Sequence, residues 1–307
     1  MNDLSNEALE IKDPHRLKRD LSRVLFPELP DDTPQPSPSI ATAPLVPNKP
    51  DIAAHLYALF SPAFVQPYPD AWLEIAYCSP DGAITDAQNY SVFELEEAVE
   101  FAEARNAAGD NLYVGPALRQ GKQPGSGRAK GEHVLTSAYA WAEYDEAGDD
   151  KRIADTLKAN NLKPALVVTT GTVPHPRRHL YFKIDGAVTK EKLEAANTAL
   201  MILLGSDAVQ DANRILRLAG TVSHPSTDKK GRGYNSELTT LRRIPDAPAY
   251  KIDALIGLAP APGTTADDHI AEYGKGAAGR TDAEVMTLLE KSKIENWHNN
   301  ILSAIPR

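Results

Sequence analysis

The sequence holds a single cysteine, Cys78, in 307 residues. One thiol can form neither an intrachain disulfide nor a cysteine-rich zinc site. Inside the apolar run WLEIAYCS it reads as buried and inert. No apolar run approaches the length that spans a bilayer. The opening residues, MNDLSNEALEIKD, are acidic and polar and lack the core of a secretory signal, so a cytoplasmic protein with no membrane partner is expected. No GxxxxGK[ST] phosphate loop occurs, which excludes an ATP-driven motor within this chain. There is no internal repeat. A positive net charge is missing too: 33 Lys and Arg against 42 Asp and Glu leave −9. That sum disfavours nucleic acid as a partner, but its distribution does not. Basic residues gather at Arg119, Lys122, Arg128 and Lys130, at Arg177, Arg178 and Lys183, at Arg214 and Arg217, and at Lys229, Lys230 and Arg232. Acidic residues dominate 94–110 and the tail. For any one cluster, a solvated mixed-charge surface is the competing reading.

Four segments organise the chain. Residues 1–50 combine one helix near 15–25, with Leu17, Leu21 and Leu25 at helical spacing, and a stretch holding eight of the 24 prolines, which suits an extended linker. Residues 51–258 form the globular domain. Residues 259–280 are a second low-complexity linker, and 281–307 open a short helical segment capped by Thr281 and Glu284. Within the domain, AWLEIAYC (71–78) reads as a buried strand, and Ser91 with Glu94 as the capping box of a helix facing inward through Val92, Leu95, Val99 and Ala102. NLYVGPAL (111–118) and AYAWAEYDE (138–146) are strands, followed by a helix near 150–160. PALVVTTG (164–171) and RHLYFKID (178–185) are neighbouring strands, and the two prolines between them suit a hairpin better than a helical crossover. Thr189 caps a helix with Leu193, Ala196, Leu200 and Leu203 inward, and a short helix lies near 251–258. Irregular alternation with a central hairpin predicts an α+β domain with a mixed or antiparallel sheet flanked by helices.

Three patterns carry chemistry. In WAEYDE, Glu143 and Asp145 are two apart, so on a strand both carboxylates share a face with Trp141. Paired carboxylates repel unless a cation lies between them, and oxygen ligands suit Mg²⁺ or Mn²⁺. A solvated acidic edge strand is the alternative. His179 follows Arg177 and Arg178, a basic cluster of the kind a triphosphate needs when it faces a metal site. In DANRILRLAGTVSHP, Asp211 precedes Arg214 and Arg217, and Gly220-Thr221 mark a tight turn. An ordinary i,i+3 acid–base pair on a helix would explain the former equally well.

Together these segments resemble the archaeo-eukaryotic primase superfamily, in particular its phage and plasmid branch with RepB-type primase-polymerase domains. The resemblance covers about residues 70–245. It rests on the acid–hydrophobe–acid triplet Glu143-Tyr144-Asp145, on VVTTGTVPHPRRHLYF leading to His179, and on Asp211 before NRILRLAGT; NLYVGPALR matches the strand that precedes the triplet. The sequence departs from the pattern in starting the triplet with Glu143 rather than aspartate, in the insert PHPRR, and in Ala219 where a proline is common. The resemblance implies a primase catalytic core with an RRM-like sheet. It also implies template-directed nucleotidyl transfer on single-stranded DNA with NTPs or dNTPs. Glu143, Asp145 and Asp211 would hold two Mg²⁺ or Mn²⁺ ions, with Asp207 the rival for the third acid. Arg178 and His179 would contact the triphosphate, and Arg214 and Arg217 the triphosphate or template. The glycine-rich basic loop 121–131 would track template phosphates, with Arg119, Lys122, Arg128 and Lys130 as DNA-binding residues. A phage or plasmid setting and a fused or separate helicase partner are implied as well. Three other classes stay open: a non-catalytic replication initiator of the same fold, a metal-dependent nuclease (disfavoured because there is no His-hydrophobe-His pair), and a generic domain matching by chance.

Overall fold

The structure is a computed structural model that describes residues 44–121 and 127–259. The expected helix near 15–25, most of the proline-rich stretch, Lys122, nearly all of the second linker and the segment from Thr281 lie outside these residues. In chain order the first elements are α1 (Lys49–Leu59), α2 (Pro62–Val65), β1 (Trp72–Cys78), β2 (Asp86–Ser91), α3 (Leu95–Ala107), β3 (Asn111–Val114) and β4 (Leu118–Arg119). Next come β5 (Val134–Thr136), β6 (Tyr139–Tyr144), α4 (Asp149–Ala159), β7 (Leu166–Gly171), β8 (Arg177–Lys183) and α5 (Lys190–Leu204). The last are β9 (Leu216–Arg217), β10 (Val222–Ser223), α6 (Thr227–Gly231), β11 (Glu237–Leu238), β12 (Thr240–Arg243) and α7 (Ile252–Ile256).

The strands divide into two sheets and a small β10–β11 ribbon. In the first sheet β1 pairs antiparallel with β2, β3 and β4, and β9 and β5 extend it. The single strand expected over 111–118 is two, because Gly115-Pro116 interrupts it and proline offers no ladder N–H. The second sheet has the order β12–β7–β8–β6, antiparallel throughout. Its β7–β8 hairpin is the one expected from the prolines. The α+β class is as the sequence predicts, although the strands form more than one sheet.

Local chemistry explains the helices. Glu94 closes half of the expected capping box by accepting the Ser91 N–H at 2.8 Å, and Val92, Leu95, Val99 and Ala102 are buried. Thr189 caps α5 by accepting from the Lys192 N–H, and Leu204, rather than Leu203, completes its buried face. Helix α1 begins earlier than the expected domain start, at an Asn48 cap whose side chain accepts from the Asp51 N–H at 3.3 Å, with proline in its first turn. Gly220 has φ +79, and a Cβ there would fall 2.5 Å from the Ile52 nitrogen, so only glycine lets this turn close on the start of α1.

One apolar core joins α1, α3 and α5 to both sheets. Each fully buried large side chain, such as Leu73 or Phe182, contributes roughly 1.5–3 kcal/mol by leaving water. The open edge of β6 is covered where the Trp141 N–H donates to Asn197 Oδ1 at 2.9 Å and its indole N–H to the Val209 carbonyl at 2.8 Å. Cys78 is buried and unpaired. Among the described residues no helix is long and apolar enough to cross a membrane.

Candidate active site

A cleft of about 420 Å³ takes its lining from both sheets and from the region of α6. Glu143 sits near the end of β6 and Asp145 just beyond it, and both line the cleft. In the ladder Glu143 stands opposite His179 of β8, and His179 Nε2 lies 3.4 Å from Glu143 Oε1. The His179 ring is buried, and its other nitrogen has no hydrogen-bond partner among the described residues. Burial opposes the Glu143 charge, but His179, with Arg214 and Arg217 behind it, outweighs burial and holds the carboxyl below the ordinary glutamate range. Asp145 has Lys229 Nζ at 3.8 Å, and its carbonyl accepts from His175 Nε2.

Around this pair stand Arg128, Arg177, Arg214, Arg217 and Lys229, all lining the cleft. Arg217 is fixed by Asn111 Oδ1 at 2.7 Å and the Tyr113 hydroxyl at 3.0 Å. Arg177 pairs with Glu237 at 2.9 Å and lies 4.6 Å over the Tyr234 ring. Lys229 and Arg232 approach the same ring at 5.4 Å, so Tyr234 gathers three cations. Burial raises the Glu237 carboxyl, but hydrogen bonds from Thr172 and Val173 and the charge of Arg177 bring it below its usual value. Gly171 makes this packing feasible, since a Cβ there would collide with the Arg177 guanidinium.

Several residues singled out from the sequence lie elsewhere. Arg178 faces the opposite side of the sheet, where it pairs with Asp150 at 3.1 Å and does not line the cleft. Strand alternation is the reason: Arg177, not Arg178, shares the face of His179. Arg119 is fully buried in an ion pair with Glu74 at 3.3 Å and is not available to DNA. Lys130 is exposed and, like both Asp207 and Asp211, outside the cleft lining. The Asp211 carbonyl accepts the Arg214 N–H at 3.0 Å, closing a turn, and its side chain is exposed. Asp207 instead donates its N–H to the Glu143 carbonyl at 2.9 Å. Burial first, then the charges of Asp145 and Glu143, push its carboxyl up to about 7. In the sequence Arg177 and Lys229 stand out only as members of basic clusters, and Tyr234 does not stand out at all. Alternation along β8 points to Arg177; nothing local points to the other two.

The donor set fits Mg²⁺ or Mn²⁺ that shares its coordination with a substrate. Among the described residues no group of three or more His, Cys, Asp or Glu side chains is placed to hold a metal ion by itself. Magnesium is commonly held by one or two carboxylates together with substrate phosphates. Burial is the first cause of the raised Asp207, and the charges of Asp145 and Glu143 add to it, a repulsion that a cation would relieve.

The sequence matches no protein-family profile and no curated protein. Among solved structures, the AEP domain of the primase-polymerase of cyanophage S-2L is similar with a TM-score of 0.50 at 14% identity, over 70% of this chain and 100% of that domain. Primase RepB' has a TM-score of 0.48 at 15% identity, over 80% of this chain and 69% of that one. The catalytic domain of primase RepB' in complex with initiator DNA has a TM-score of 0.48 at 17% identity, over 74% of this chain and 97% of that one. With its two antiparallel sheets and flanking helices, the chain shares its fold with the AEP domain of that cyanophage primase-polymerase.

Proposed function

We propose that this domain is a DNA primase-polymerase, a nucleotidyltransferase that joins nucleotides on a single-stranded template. The observation that carries the reading is the carboxylate pair Glu143 and Asp145 in one cleft with Arg128, Arg177, Arg214, Arg217 and Lys229. That combination matches a nucleoside triphosphate with its divalent cation. Glu143, Asp145 and Asp207 would hold Mg²⁺ or Mn²⁺. When bound, the metal would lower the pKa of the attacking 3′-hydroxyl and stabilise the pyrophosphate leaving group. The chain's own residues do the rest. Arg177, Arg214, Arg217 and Lys229 bind the triphosphate oxygens by charge-assisted hydrogen bonds. His179 orients Glu143 from across the ladder. Arg128 and the exposed Lys130 lie along the stretch that would follow template phosphates without reading bases. A helicase partner and a phage or plasmid setting belong to the same proposal.

The test is synthesis on mixed-sequence single-stranded DNA with labelled NTPs or dNTPs and Mg²⁺ or Mn²⁺, with and without an annealed primer. Metal-dependent products support the reading. Tight DNA binding with no product in either format sinks it and favours an initiator module of the same fold.

Two comparisons locate the site. Arg214→Ala is expected to raise the nucleotide KM about tenfold, the loss of one charge-assisted contact, while Arg178→Ala leaves it within about twofold. Equal effects of the two would place the triphosphate elsewhere. Asp207→Asn is expected to lower metal-dependent synthesis by about 10- to 100-fold, and Asp211→Asn by less than about threefold. The reverse order would restore Asp211 as the third acid.

A further inference from the structure

Glu74 lies in the middle of β1, wholly buried and outside the cleft lining. Its carboxylate gathers three donors: the Ala129 N–H at 2.8 Å, Arg119 at 3.3 Å and Arg128 Nε at 3.4 Å. The two arginines continue to a common segment. Arg119 donates to the Ala212 carbonyl at 3.4 Å and Arg128 to the Asn213 carbonyl at 2.9 Å. The next residue is Arg214, which lines the cleft with Arg128. One carboxylate therefore ties together β1, β4, the 128–129 backbone and the segment that delivers Arg214. Gly115 leaves room for this, since a Cβ there would fall 2.6 Å from Arg119 and 3.4 Å from the Glu74 carboxylate.

Stability alone is a poor reason for such an arrangement. A buried ion pair is often no more stable than apolar side chains of the same volume. Here the pairing is also incomplete, because Arg119 Nε is buried without a hydrogen-bond partner among the described residues. What charged groups supply and apolar ones cannot is directional attachment at several points.

We propose that Glu74 is a positioning residue for nucleotide binding, holding Arg128 directly and Arg214 through Arg119 and Arg128 so that the cleft's cations are in place before a nucleotide arrives. This rests on the primase-polymerase reading. Arg128 is suited to the link because its side chain is partly exposed at the cleft while its fork spans Glu74 and the Asn213 carbonyl.

The experiment measures equilibrium binding of a labelled dNTP with Mn²⁺, which needs no synthesis, beside the melting temperature. In the double variant Glu74→Leu with Arg119→Met, the buried pair is exchanged for apolar volume. It is expected to melt close to wild type and to bind the dNTP about tenfold more weakly. Arg128→Ala is expected to weaken wild-type binding to a similar extent but to add less than about twofold in the double variant, because the effects share one path. Arg128→Lys keeps the charge on a partly exposed side chain but cannot span both anchors. Its binding is expected to weaken about fivefold, and it tests the tether even if the double variant does not fold. Wild-type affinity in Arg128→Lys or in the folded double variant, or full additivity of Arg128→Ala, overturns the positioning role and leaves the primase reading standing. A wild type that binds no dNTP overturns that reading and the inference with it.

Discussion

Replacing Asp145 with alanine is expected to reduce metal-dependent synthesis by at least about 10³-fold while the fold persists. Asp145 lies past the end of β6, is partly exposed and makes no ladder bond that the substitution would break. Among the described residues its side-chain partner of opposite charge is Lys229, at 3.8 Å and itself 44% exposed, a contact of small energetic value. Without metal the variant should melt no lower than wild type, since Asp145 is one of the charges that oppose ionisation of Asp207. With metal the order should reverse. A cation at about ten times its Kd stabilises the wild type by about 1.4 kcal/mol. For a domain of this size that is roughly 3–6 °C in Tm. The variant should gain little of it. Calorimetry with and without Mn²⁺, beside the synthesis assay, checks both halves. Full-length product from Asp145→Ala, or an unchanged Mn²⁺ increment, would show that the carboxylate pair is not where the cation acts.

The parts of this site that were legible in the sequence are those governed by short-range periodicity. Residues two apart on a strand share a face, so Glu143 and Asp145 could be brought together from their spacing, and the hairpin of β7 and β8 brought His179 beside them. The same rule sets Arg178 against its expected role, because alternation assigns the face of His179 to Arg177. Helix α1 had a local signal in Asn48-Lys49-Pro50-Asp51, hidden by counting Pro50 with the proline-rich run before it. Other features depend on partners far away in sequence. Arg119 looks like a loop cation until Glu74, 45 residues earlier, takes it into the core. Lys229 reaches the cleft because α6 is anchored by Asp81, which accepts from the Thr227 N–H and hydroxyl at 2.7 and 3.0 Å. The choice between Asp207 and Asp211 turns on one backbone hydrogen bond to Glu143 and one turn closing on Arg214, and no residue pattern encodes either.

His55 is expected to contribute a loss of stability on acidification well above the pH at which ordinary carboxylates titrate. His55 lies on α1, wholly buried, with its ring edge-on to Tyr181 at 5.4 Å between centroids. Its Nδ1 accepts the Ala219 N–H at 3.1 Å, which fixes a neutral ring with the proton on Nε2. Burial, then the charges of His179 and Arg243, lowers its pKa to about 3. The sign follows directly. Between the unfolded value near 6.5 and about 3, the unfolded chain binds a proton that the folded chain refuses, so stability falls as pH falls. The slope is about 1.4 kcal/mol per pH unit, or about 2 kcal/mol between pH 6.5 and 5. Asp207, raised to about 7, acts in the opposite direction and by a similar amount across this window, and His224, lowered chiefly by burial, acts in the same direction as His55. A variant comparison removes both. His55→Asn keeps an acceptor near Nδ1 for the Ala219 N–H but cannot titrate. It should be less stable than wild type at pH 7.5, having lost the contact with Tyr181, yet lose about 2 kcal/mol less on acidification to pH 5. Urea denaturation of both proteins across this range makes the measurement. Parallel curves would mean that His55 gains its proton without unfolding, and that the surroundings of its ring are open to water rather than dry.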